Sequence, residues 1–172
     1  MTELLRTPLY ERHRELGASL VAFGGWEMPI HYPAGIVQEH LATRARAGIF
    51  DVSHMGRIRV HGSEALAFLQ HVLTNNAAAL EPGEAQYTMV ADPAGGAVDD
   101  AYLYRFLPEE YLLVVNASNR SRVWGHLQTQ RAHTPSVRLE DLTAEMAMVS
   151  LQGPALPCPR ILPLQLRLRG SD

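Results

Sequence analysis

The chain has 172 residues, 47% hydrophobic content and a formal net charge of −3, which supplies a core and excludes the polycationic signature of a nucleic-acid binder. All fifteen basic residues are arginine, so neither a Schiff-base lysine nor the lysine of a P-loop is available. Cys158 is the only cysteine, which excludes a disulfide framework and any Cys-x-x-Cys site.

Thr7-Pro8 followed by Leu9, Arg12, His13 and Leu16 predicts a capped helix over Leu9–Leu16. Leu20–Phe23 is a short strand or turn that stops at Gly24-Gly25, and Glu39–Ala47 is a second helix ended by Gly48. Ile49–Val52 then runs into a polar break at Ser53-His54.

From Gly56 the period changes. Arg57–His61 alternates as a strand, Ser63 caps a helix through Val72, and Thr74-Asn75-Asn76 closes it. Gln86–Ala91 and Ala97–Phe106 predict a hairpin around Asp92–Gly96, and Tyr111–Val115 a further strand. Asn119–Arg131 predicts a helix with Val123, Trp124 and Leu127 on one face, and Met146–Leu151 a last strand. The pattern is α+β, with Gly56 to about Leu139 forming a ferredoxin-like antiparallel lobe. Beyond it, four prolines between Pro154 and Pro163 forbid a helix, and Leu162–Leu168 alternates as a strand without a partner.

One dipeptide stands apart from this packing logic. Asp99-Asp100 lies inside the apolar run Ala97–Leu103, where adjacent carboxylates repel each other and resist burial. Strand alternation sends the two side chains to opposite faces, so only one can enter any given pocket. The eight histidines lack zinc-helix spacing, and no metal site is expected. His54 has no local carboxylate or nucleophile partner, and no Gly-x-Ser-x-Gly elbow supports a hydrolase. With no apolar leader and no membrane-length stretch, a cytoplasmic protein without membrane partners is expected.

Several blocks resemble one family when taken in order. They are Arg6–Leu9, Phe23–Pro29, Phe50–Gly56, Gly95-Gly96 with Asp99-Asp100, Val114–Ala117 with Asn119, and Leu151–Pro154. This order resembles the T-protein of the glycine cleavage system, the tetrahydrofolate-dependent aminomethyltransferases. The resemblance implies a three-domain fold with folate in a central channel. Residues 1–52 and 140–172 would form an incomplete first domain and 53–139 the ferredoxin-like second domain. The third domain would be absent, as in a truncated product.

The same resemblance implies transfer of an aminomethyl group from a lipoylated carrier protein to tetrahydrofolate, with release of ammonia. An electron-poor carbon must be stabilised in such a transfer, which a positioned carboxylate does electrostatically. The family match puts that role on Asp100, expected to face a cavity shaped for a reduced pterin, and leaves capping or solvation to Asp99. Asp100→Asn is therefore expected to abolish transfer and Asp99→Asn to keep most of it. Met55, Tyr87, Tyr102 and Asn116 join Asp100 as candidate folate-binding residues. Asn119 is expected as a helix N-cap and Trp26 as a structural anchor. Two other functions stay open: a non-catalytic folate-binding module, and an inactive remnant.

Overall fold

A computed structural model describes residues 3–156, so Cys158 and the Leu162–Leu168 alternation lie outside the described residues. The elements run β1 (Leu5–Arg6), α1 (Tyr10–Glu15), β2 (Ser19–Phe23), β3 (Trp26–His31), α2 (Ile36–Ala45), β4 (Gly48–Asp51), β5 (Gly56–His61), α3 (Ala65–Val72), β6 (Ala85–Ala91), β7 (Ala97–Leu107), β8 (Glu110–Val115), α4 (Arg120–Arg131), β9 (Arg138–Asp141) and β10 (Val149–Gln152). The fold is α+β, and it divides into two compact units. Among the described residues, one comprises 3–54 together with 145–156; the other is Met55–Ala144.

In the first unit, β2 and β3 form an antiparallel hairpin and β1 adds to β3 in parallel. Gly24 and Gly25 both take positive φ at the turn, a conformation that side chains disfavour. β3 was not among the expected strands, and it carries Pro29 inside it. The pairing shows why proline is tolerated: β1 contacts only Trp26 and Glu27, so β3 is an edge beyond them. Helix α2 begins at Ile36, three residues earlier than the sequence suggests. Its N-cap is Gly35 at φ +83, with no side-chain cap to mark the start. β4 pairs antiparallel with β10, Ile49 opposite Leu151.

The second unit carries one five-stranded antiparallel sheet in the order β6-β7-β8-β5-β9. Without β6 this is the β-α-β-β-α-β ferredoxin-like arrangement, and β6 adds an edge strand by its hairpin with β7. The inward positions of the strands, including Ile58, Val60, Val90, Leu103, Leu113 and Val115, pack against Phe68, Leu69 and Val72 of α3 and Val123 and Leu127 of α4. β9 was missed in the sequence because Arg138–Asp141 carries a single apolar residue, Leu139. Its partner β5 supplies the strand.

Candidate functional site

The hairpin that presents Asp99 and Asp100 is set by its own turn. The Asp92 carboxylate accepts from Ala94 N at 2.9 Å and Gly96 N at 2.8 Å, and Gly95 takes φ +83. The register then shifts, with Val90 opposite Asp99 and Ala91 opposite Ala97, so Val98 is an extra residue. Val98 and Asp99 are both buried, whereas Asp100 is exposed. Opposite faces for the two carboxylates are what strand alternation predicts.

Asp99 is buried without being solvated or isolated. Its Oδ2 accepts from Asn116 N at 2.9 Å, and its Oδ1 accepts from Asn116 Nδ2 at 3.0 Å and Asn119 Nδ2 at 2.7 Å. Asn119 was expected to cap α4. Its side chain makes no cap hydrogen bond and turns to Asp99 instead, because a buried carboxylate demands donors more strongly than an exposed helix end.

On the other face, Asp100 accepts from Tyr87 Oη at 3.1 Å and from Asn116 Nδ2 at 2.8 Å. Tyr87 pairs with Tyr102 across the hairpin, their ring centroids 6.0 Å apart and edge to face. Tyr104 and Phe106 extend this row, with successive centroids at 5.9 and 6.3 Å. Donation to the Asp100 carboxylate holds the Tyr87 phenol above its ordinary pKa, helped by desolvation and by the charges of Asp100 and Asp99. Burial raises the Tyr104 phenol as well.

Four of the expected residues, Tyr87, Asp100, Tyr102 and Asn116, thus come together at one end of β6–β8. Met55 precedes Gly56, whose partner is Val115, so Met55 and Asn116 flank the same terminal pair of the sheet. Within this unit Asp100 lies exposed on the sheet surface. No element of the unit covers that sheet face at the hairpin, and Tyr87 and Tyr102 stay 53% and 46% exposed. Two clefts occur in the other unit, of about 400 and 300 Å³, and none of the expected residues lines them. Among the described residues no group of histidine, cysteine and carboxylate side chains has metal-binding geometry.

In the first unit, Trp26 is buried, and the His54 ring meets Phe23 edge to face at 5.5 Å. Sequence reasoning missed a polar cluster there. His13 Nδ1 lies 2.8 Å from Tyr32 Oη and His13 Nε2 2.9 Å from Asp51 Oδ2, which also accepts from Thr7 Oγ1 at 2.7 Å. These residues come from four separate segments, so no local spacing announces them.

A ferredoxin-like sheet with a hydrogen-bonded carboxylate beside exposed aromatic faces defines an α+β module. The chain belongs to the GCVT N-terminal domain family, whose model matches residues 9–156. It is 49% identical over 154 residues to an aminomethyltransferase of Desulfitobacterium hafniense, covering 90% of this chain and 42% of that one. It is 52% identical over 149 residues to an aminomethyltransferase of Thermus thermophilus, covering 87% and 42%. Among solved structures, the glycine cleavage system aminomethyltransferase T from Bartonella henselae matches with a TM-score of 0.83 at 38% identity, over 88% of this chain and 41% of that one. The chain therefore spans about two fifths of the length of the relatives it matches.

Proposed function

We propose that this chain is the folate-facing N-terminal portion of a glycine cleavage aminomethyltransferase, whose whole form moves an aminomethyl unit from a lipoylated carrier protein to tetrahydrofolate and releases ammonia. The two units would correspond to part of the first domain and to the second domain of that enzyme, acting in the cytoplasm. No helix among the described residues is long and apolar enough to cross a membrane. The observation that carries the reading is the Asp100 carboxylate held by Tyr87 and Asn116 on a sheet face rich in aromatic rings.

The acceptor set fits a reduced pterin. Such a ring presents N–H groups along one edge and a flat face. Asp100 accepts hydrogen bonds, the Asn116 Oδ1 accepts also, and the Tyr102 ring offers a surface to lie against. Tetrahydrofolate, when bound, supplies the nitrogen that takes up the one-carbon unit. The work of this chain is electrostatic: Asp100 places fixed negative charge where the transferred carbon becomes electron-poor, already oriented before the substrate arrives. Met55 adds a flexible apolar contact.

The test is a fluorescence titration of the 172-residue chain with tetrahydrofolate, against Asp100→Asn. Weak binding, weakened further about tenfold by the substitution, supports the reading. Identical titrations for both proteins overturn it. The non-catalytic alternative, a folate-binding module, predicts the same binding difference with no transfer under any assay.

A further inference from the structure

The two adjacent carboxylates are physically connected, although they face opposite ways. The link is Asn116, whose Nδ2 stands 3.0 Å from Asp99 Oδ1 and 2.8 Å from Asp100 Oδ1. A carboxamide nitrogen has two hydrogens, and each has an acceptor here. A third approach, to the Asp100 carbonyl at 3.4 Å, is the longest of the set and the weakest. The orientation of the amide is fixed by charge: turned over, its oxygen would face two carboxylates.

Asn116 itself is placed by Asp99. The Asp99 Oδ2 takes the Asn116 backbone N–H, and Oδ1 takes both the Asn116 and Asn119 carboxamides. Three donors on one buried carboxylate tie down both ends of the turn from β8 into α4. The regular register from Ala85–Tyr104 to Val90–Asp99 puts Asp99 on the inner face next to that turn and Asp100 on the outer one, and the Val98 bulge lies beyond them toward the hairpin turn.

We infer that Asp99 is a positioning residue that acts through the Asn116 carboxamide to hold the Asp100 side chain in one rotamer. Asn116 then has a different task from the one its position suggests. Its amide hydrogens are committed to the two aspartates, so it presents only an acceptor oxygen to a ligand. Tyr87 holds the second Asp100 oxygen, Oδ2, so both oxygens of this exposed carboxylate are anchored. An exposed aspartate without such anchors would sample several rotamers. This inference rests on the proposed role of Asp100 for its catalytic meaning, while the geometry it describes is testable without any ligand.

The experiment uses the full 172-residue chain, with the ring carbon bearing the Tyr87 hydroxyl followed by NMR across a pH titration. In the unaltered chain the Tyr87 phenol titrates above an ordinary tyrosine, and in Asp100→Asn it returns toward the ordinary range. Asn116→Ala removes no charge, so it is the decisive variant. It is expected to lower the Tyr87 titration most of the way to the Asp100→Asn value, with Asp100 still present. Asn119→Ala is expected to give a smaller shift in the same direction. Asp99→Asn should match Asn116→Ala, and its fold is checked by the amide spectrum; if it fails to fold, Asn116→Ala and Asn119→Ala decide. Tyr87 titrating in Asn116→Ala as in the unaltered chain overturns the inference. Tetrahydrofolate titration of the same proteins separates the two readings. A Tyr87 shift with unchanged tetrahydrofolate binding in Asp100→Asn sinks the proposed function and leaves the positioning intact. Unchanged Tyr87 titration with weakened binding in Asp100→Asn does the reverse.

Discussion

His13 Nε2 donates to Asp51 Oδ2 at 2.9 Å, and the two side chains are only 7% and 1% exposed. Burial pushes the Asp51 carboxyl up, but hydrogen bonds from His13, Ser53 and Thr7 outweigh it and hold the group below the usual carboxylate range. A carboxylate depressed in the folded state contributes stability that is fully present above its unfolded pKa. That contribution is lost as pH falls through the folded value. His13→Ala leaves the buried charge without this partner and is expected to cost about 3 kcal/mol. Urea denaturation at neutral pH checks the cost. The acid limb of the stability curve, below about pH 4, should flatten in Asp51→Asn, which has no carboxyl there to protonate.

Much of the second unit was legible in the sequence, and this cluster in the first was not. The hairpin from Gln86 to Phe106 has alternation on both strands and an Asx-and-glycine turn between them, so local chemistry suffices to place it. Asp99 and Asp100 could be assigned to opposite faces from alternation alone. The three donors on Asp99 could not, because Asn116 and Asn119 reach it across seventeen and twenty positions. β9 and the Pro29-containing β3 exist because a neighbouring strand pairs with them, information that a window of residues does not hold.

Asp100 and Asp99 are expected to separate in stability measurements. Asp100 is exposed, and Asp100→Asn should change the unfolding free energy by less than about 0.5 kcal/mol. Asp99→Asn replaces an acceptor with an amide N–H2 facing Asn116 N or the two carboxamides. It should cost about 2 kcal/mol. Equal losses in parallel denaturation curves would contradict the inward and outward assignment.

Gly62 tests the join between β5 and α3. It takes φ +116, and a Cβ built there would collide with the Ser136 carbonyl oxygen. Gly62→Ala therefore meets both backbone strain and a backbone atom that cannot swing aside, and it should cost well over about 1 kcal/mol. A Gly83→Ala control shares a positive φ of +92 but has open space around the added methyl. The difference between the two melting temperatures isolates the collision from the strain.

Arg59 joins Glu110 and Glu140, each at 3.0 Å, and His61 reaches Glu140 at 3.3 Å. Burial pulls the Glu140 carboxyl up, yet hydrogen bonds from Arg59 and His61 leave it below its ordinary pKa. The Glu140 side chain is 43% exposed, so water and salt screen most of what the geometry promises. Glu140→Gln should cost no more than about 1 kcal/mol at low ionic strength. In about 1 M salt, where screening acts within roughly 3 Å, the difference between the two proteins should vanish. A cost that persists in high salt would mean that the pair acts by packing β9 against β5, with charge contributing little.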